Sequence, residues 1–217
     1  MTDTTYKTVR PGQAHKRASI LAAARELFVQ GGVERTSMDA IAARAQVSKR
    51  TVYDYYGDKR QLLLRVIEDA GEVALARLRH LIEQHLSDAT VERTAAGMER
   101  SLTSFAADLG VSQLASTDYA AAVRLIAENE PLLPELEDHP LERSHSDALA
   151  ERLAHFASVG LLDVDDARLA ADHFQALTSL RVLNEPARRR SDTEHVQQLM
   201  TDGTHAFMRA YGPRRDP

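Results

Sequence analysis

The chain has 217 residues and a mass of 24.0 kDa, with 27 Lys+Arg against 32 Asp+Glu, a formal net charge of −5, and neither cysteine nor tryptophan. Without cysteine there is no thiolate catalysis, no disulfide and no cysteine-bound metal, and no run of 18 apolar residues is present to span a membrane. Charged residues at 27% and apolar residues at 43% suit a globular fold, and the polar stretch Met1 to Gly12 lacks the apolar core of a signal peptide, so a cytoplasmic protein is expected.

The charge is unevenly spread. Residues 1–60 hold 11 Lys+Arg and 6 Asp+Glu, whereas residues 61–217 hold 16 and 26. All four lysines (Lys7, Lys16, Lys49 and Lys59) lie in the first segment. A basic segment on an acidic body points to a polyanion partner for the first and a separate task for the second.

Helical periodicity runs nearly throughout, with Gly and Pro between the periodic stretches. The first helix is expected from about His15 to Gln30, with Ile20, Ala24, Leu27 and Phe28 on one apolar stripe and Gly31-Gly32 as its end. Thr36 or Ser37 caps a short helix from Met38 to Ala45. Ser48 caps a third from Lys49 to Tyr56. Asp58, with Gln61 at the third helical position, opens a long fourth helix to about Leu86. Further amphipathic stretches lie near 89–109, 114–129, 141–159, 165–183 and 192–211. Breaks are expected at Gly110, Pro131, Pro134, Pro140, Gly160 and Asn184-Glu185-Pro186. The fold class is all-α: three short helices, then a bundle of longer ones.

Two short helices joined by the turn Ala45-Gln46-Val47 read as a helix-turn-helix, whose second helix enters the DNA major groove N-terminus first. Ser48 leaves the positive end of that helix open to a phosphate. Lys49 and Arg50 occupy the first turn, where arginine can bond guanine bidentately. Thr51 can meet a thymine methyl or a phosphate. Tyr53, Tyr55 and Tyr56 supply either hydroxyls for phosphate or rings for the core. Thr36 and Ser37 can meet a phosphate at the start of the second helix, and Lys59 can close on the backbone. Lys16 and Arg17 are either phosphate contacts or solvated charge.

This segment resembles the TetR family of bacterial transcriptional repressors. Ile41-Ala42, Ala45, Val47-Ser48, Thr51, Tyr53, Tyr55, Lys59 and Leu62 match the family pattern at its spacing, and residues 20–37 fit its opening helix. Gln46 replaces the turn glycine, which asks a non-glycine to adopt left-handed geometry. Tyr56 replaces the usual phenylalanine. The specific resemblance covers about residues 15–65; beyond it only the helical layout agrees. The resemblance implies a DNA-binding domain at 13–58, with Ser48, Lys49, Arg50, Thr51, Tyr53, Tyr55 and Lys59 at DNA-contact positions. It also implies a helical ligand-binding and dimerisation domain at 59–217.

One recognition helix reads few base pairs, so a homodimer on double-stranded operator DNA is expected. The stretches 165–183 and 192–211 are taken as the interface, through Leu169, Leu177, Leu180, Val196, Leu199, Met200, Gly203 and Phe207; the alternative is that these faces fill the monomer core. A pocket for an apolar or aromatic effector is placed among Leu78, Met98, Leu102, Phe105, Tyr119, Val123, Phe156, His173 and Phe174, each of which could equally be plain core.

Nine histidines raise a metal site, but His80 and His85 are five apart and no HExxH occurs, so no metal is expected. No cofactor motif appears either. Arg188-Arg189-Arg190 reads as a solvated connection. An enzyme using His173, Glu128 and Asp172 lacks any phosphate loop or nucleophile motif. The expected function is therefore a dimeric repressor released from its operator by a small ligand. The alternative is a DNA-binding regulator without a ligand.

Overall fold

The structure is a computed structural model and describes residues 11–115, 125–126, 128–129, 133 and 140–213. Among the described residues the elements are helices: α1 (Pro11–Gly31), α2 (Met38–Arg44), α3 (Lys49–Tyr56), α4 (Lys59–Leu86), α5 (Ala95–Ala115), α6 (Pro140–Ser158), α7 (Ala167–Leu177), α8 (Ser179–Leu183), α9 (Ala187–Arg190) and α10 (Thr193–Tyr211). By contacts they fall into two compact units, one within Met1–Ala70 and Ala121–Leu132, the other within Gly71–Ala120 and Leu133–Pro217.

In the first unit α2 packs against both α1 and α3. Ile20, Ala24, Phe28, Ile41, Val52, Leu62 and Val66 are buried, and removing the larger of these side chains from water contributes about 1.5–3 kcal/mol each. The caps are those the residue types require. Ser37 Oγ accepts from Ala40 N and Ser48 Oγ from Thr51 N, both at 3.1 Å. Asp58 accepts from Gln61 N at 2.8 Å and starts α4. Gln46 has φ 56°, the left-handed turn geometry expected for it, and is the only non-glycine with positive φ among the described residues.

In the second unit α10 packs along α5 and against α7, and α7 against α6. Leu86, Met98, Leu102, Phe105, Phe156, Phe174, Met200 and Phe207 belong to one buried cluster. Several boundaries differ from the sequence reading. Gly110 does not break a helix; it lies inside α5. A Cβ there would stand 2.9 Å from Met200 Cγ and 3.1 Å from Val196 Cγ1, so the glycine permits close helix packing rather than a turn. The stretch 165–183 is two helices, interrupted at Thr178, whose hydroxyl donates to the Phe174 carbonyl at 2.6 Å. Arg188–Arg190 form the last residues of one helical turn instead of an open connection. Most of the stretch 114–129 lies outside the described residues.

The side chains chosen for a subunit interface divide in two. Val196, Leu199, Met200, Gly203 and Phe207 are buried within their own chain, because the bundle needs those stripes to close its core. Leu177 is half-buried. Leu169 and Leu180 are 48% and 51% exposed. No helix among the described residues is long and apolar enough to cross a membrane.

Candidate nucleic-acid interface

Val52 is fully buried and fixes the rotation of α3. Its neighbours on the opposite face therefore point to solvent. The side chain of Lys49 is 55% exposed and that of Arg50 90% exposed. Ser48 and Tyr53 are exposed, and Thr51 and Tyr55 are half-buried. The Ser48 and Thr51 hydroxyls lie 2.8 Å apart, so the pair that caps α3 also presents two hydroxyls at its positive end.

The tyrosines have different duties. Tyr56 donates its hydroxyl to the Arg17 carbonyl at 3.1 Å, and burial raises its pKa above the ordinary phenol value. It is a packing residue tying α3 to α1. Tyr55 meets Tyr56 edge-on with centroids 6.4 Å apart, and the Arg17 guanidinium lies over the Tyr55 ring at 5.2 Å. That cation–π contact adds about 0.5–1 kcal/mol and holds Arg17 on this side of the unit.

Two of the expected contact residues have their polar groups committed internally. Thr36 is buried and donates its hydroxyl to the Gly32 carbonyl at 2.8 Å and the Leu27 carbonyl at 3.2 Å. Lys59 donates to the Val33 and Glu34 carbonyls at 2.9 and 3.2 Å. Both hold the connection between α1 and α2. Ser37 is exposed at the start of α2.

Two acidic side chains escaped the sequence reading. Asp39 of α2 lies 2.9 Å from Lys49 Nζ, and Asp54 lies 3.7 Å from Arg50 Nε. The Arg50–Asp54 spacing of four residues was visible on a helix; Asp39 and Lys49 meet only because the turn folds α2 against α3. The Asp39 carboxylate, through its hydrogen bond, raises the Lys49 pKa above the ordinary lysine value.

Of the residues expected to line an effector pocket, Leu78, Met98, Leu102, Phe105, Phe156 and Phe174 lie in the buried cluster of the second unit. Phe105 and Phe174 are in ring contact at 5.9 Å, and Phe174 meets Phe207 edge-on at 5.2 Å. His173 is elsewhere. It is exposed on the outer face of α7, with its Nδ1 hydrogen-bonded to the Tyr211 hydroxyl. One helical position separates it from Phe174, and that step of about 100° turns the imidazole away from the core. Tyr119 and Val123 lie outside the described residues. Two surface hollows of about 400 and 510 Å³ have other walls, the first including Arg79, Glu83, Asp147 and Arg152, the second Glu99, Arg100 and His205. Among the described residues no three His, Asp or Glu side chains converge as a metal site.

Two protein-family models match this chain. "Bacterial regulatory proteins, tetR family" matches residues 20–66, and "AefR-like transcriptional repressor, C-terminal domain" matches residues 100–213. The HTH-type transcriptional regulator UidR of Escherichia coli K12 is 40% identical over 77 residues, which are 35% of this chain and 39% of that protein. The aligned segment thus spans well under half of that curated relative. Among solved structures, a Mesorhizobium loti MAFF303099 protein assigned to the TetR family superposes with a TM-score of 0.77 at 24% identity, covering 94% of this chain and all of that one. The flavonoid-responsive regulator FrrA superposes with a TM-score of 0.58 at 25% identity, covering 93% and 100%. With a family match at each end and an all-α fold to join them, the chain belongs to the TetR family of transcriptional regulators.

Proposed function

We propose that this regulator binds double-stranded operator DNA as a homodimer and leaves it when a small apolar or aromatic molecule binds. Residues 13–58 serve DNA and residues 59–217 serve ligand and subunit contacts. The observation that carries the first part is the orientation of α3, with Val52 inward and Lys49 and Arg50 outward at the start of the helix. In this reading Arg50 and Lys49 reach base edges, Thr51 and Tyr53 flank them, and Ser37 and Ser48 receive phosphates at two helix starts. Tyr55, Thr36 and Lys59 support that surface from beneath.

The subunit contact uses the outward stripe Leu169, Ala176 and Leu180 within residues 165–183, together with the outer face of residues 192–211. Effector binding uses the cluster of Leu78, Met98, Leu102, Phe105, Phe156 and Phe174. FrrA, a relative in fold, is described as flavonoid-responsive, which favours an aromatic ligand class. Helix α4 is continuous from Lys59 to Leu86 and so passes from one compact unit into the other. A ligand shifts DNA affinity only by binding one arrangement of α4 better than another.

A second reading, a regulator without a ligand, is favoured by the ring-to-ring packing of Phe105, Phe174 and Phe207. The test selects a duplex from random-sequence DNA with the full-length protein, then repeats binding with Arg50→Ala. A loss of about 1–3 kcal/mol at one base position supports base readout; equal weakening on every sequence makes Arg50 a phosphate contact. A thermal-shift screen with aromatic compounds separates the two readings. A ligand raises the midpoint by mass action, and one that binds at the aromatic cluster raises it less in Phe174→Ala, which itself melts lower for want of a buried ring.

A further inference from the structure

The face expected to meet a polyanion carries carboxylates. Asp39 stands in the first turn of α2 with a side chain 64% exposed, hydrogen-bonded to Lys49 Nζ at 2.9 Å. Asp39 is not needed to cap α2, since Ser37 does so. An exposed ion pair contributes little to stability. An acid here also repels phosphate, so its presence weakens any contact that depends on charge alone.

What the pair changes is the lysine. A lysine side chain is a flexible four-carbon stem bearing a point charge. Held by Asp39, it is restricted in direction and partly neutralised before any DNA arrives. Non-specific binding grows with the number of cations free to settle on phosphates, and a tethered lysine adds less to it. A lysine already aimed loses less freedom when it meets one fixed acceptor. The raised Lys49 pKa agrees with a lysine that stays charged while paired.

We propose that Asp39 is a specificity-determining residue, which withholds Lys49 from non-specific phosphate contacts and orients it toward one position of the operator. The proposal rests on the DNA-binding reading above. It assigns Asp39 a positioning role exerted through Lys49.

The experiment uses the full-length wild type, Asp39→Asn, Lys49→Gln and the double variant. The probes are the duplex selected by the wild type and a scrambled duplex of the same composition, followed by fluorescence anisotropy over a series of salt concentrations. Asp39→Asn should bind the scrambled duplex about threefold to tenfold tighter, with a salt slope steeper by about one. Its affinity for the selected duplex should rise by less, so the ratio between the two narrows by about threefold or more. In the Lys49→Gln background the same substitution should leave that ratio unchanged. Equal tightening on both duplexes, or the same narrowing without Lys49, makes Asp39 a bulk charge and overturns the proposal. A wild type that selects no duplex overturns the DNA-binding reading, and the inference with it.

Discussion

Arg152 donates from its guanidinium to the backbone carbonyl of Leu86, the last residue of α4, at 2.5 Å, across 66 positions of sequence. The final carbonyls of a helix have no partner within it and carry the negative end of its dipole. Arg152 meets both needs from α6. It also lies 4.7 Å above the Phe156 ring and 3.2 Å from Asp88, which in turn is 2.7 Å from His155 Nε2. Asp108 and His85, 2.8 Å apart, join the same end of α4 to α5. The distal end of the longest helix among the described residues is thus tied by side chains to two neighbours.

Replacing Arg152 with Met should therefore destabilise the chain by about 1–3 kcal/mol, because it orphans the carbonyl of the buried Leu86. Denaturant unfolding measures this; a change below a few tenths of a kcal/mol would show that water replaces the guanidinium. The pH dependence follows from Asp88, whose pKa is lowered chiefly by its hydrogen bond from Arg152. A carboxyl with a depressed folded pKa stabilises above its unfolded value and loses that effect as pH falls through the folded one. The gap in thermal midpoint between wild type and Asp88→Asn should close as pH drops below 3.8.

Gln46, at φ 56°, bears a strain that glycine would not. Gln46→Gly should raise stability by about 0.5–1 kcal/mol, the left-handed penalty less the entropy glycine adds to the unfolded chain. DNA affinity should stay as it is, since the turn geometry is already in place. A lower melting midpoint would mean that the glutamine side chain supplies more than the backbone costs.

Gly203 faces the Leu177 carbonyl so closely that a Cβ would collide with it, and would also stand 2.9 Å from Thr178 Cγ2. Backbone cannot yield as a side-chain tip can. Gly203→Ala should cost about 3 kcal/mol by forcing α10 off α7. A melting midpoint equal to wild type would show that the helices can separate freely.

Leu169 and Leu180 offer apolar surface to solvent, whereas Phe207 is fully buried. Leu169→Glu with Leu180→Glu should give folded monomers in sedimentation and abolish operator binding. Phe207→Glu should instead unfold the chain, at about 3–5 kcal/mol for loss of the ring alone. A double variant that stays dimeric moves the interface to another face.

Much of the first unit was legible in the sequence because its determinants are local. Ser37, Ser48 and Asp58 cap helices with their own side chains, three residues from the group they bond. The 3.6-residue period puts Val52 inward and Arg50 outward without reference to any other element. Periodicity also found the apolar stripes of α7 and α10. It could not say what those stripes meet, because a face that seals its own core and a face that seals a dimer have the same pattern. Tertiary structure decided that Phe207 and Met200 turn into the bundle and Leu169 and Leu180 away from it. It likewise decided that Gly110 permits packing against Met200, that His173 leaves the core its neighbour Phe174 enters, and that Lys59 bonds Val33 and Glu34. The caps and the inward stripe were fixed by bonds within one turn of helix, whereas the packing of Gly110 and the bonds of Lys59 depend on a second segment, 25 to 90 residues away along the chain, that only the folded backbone brings near.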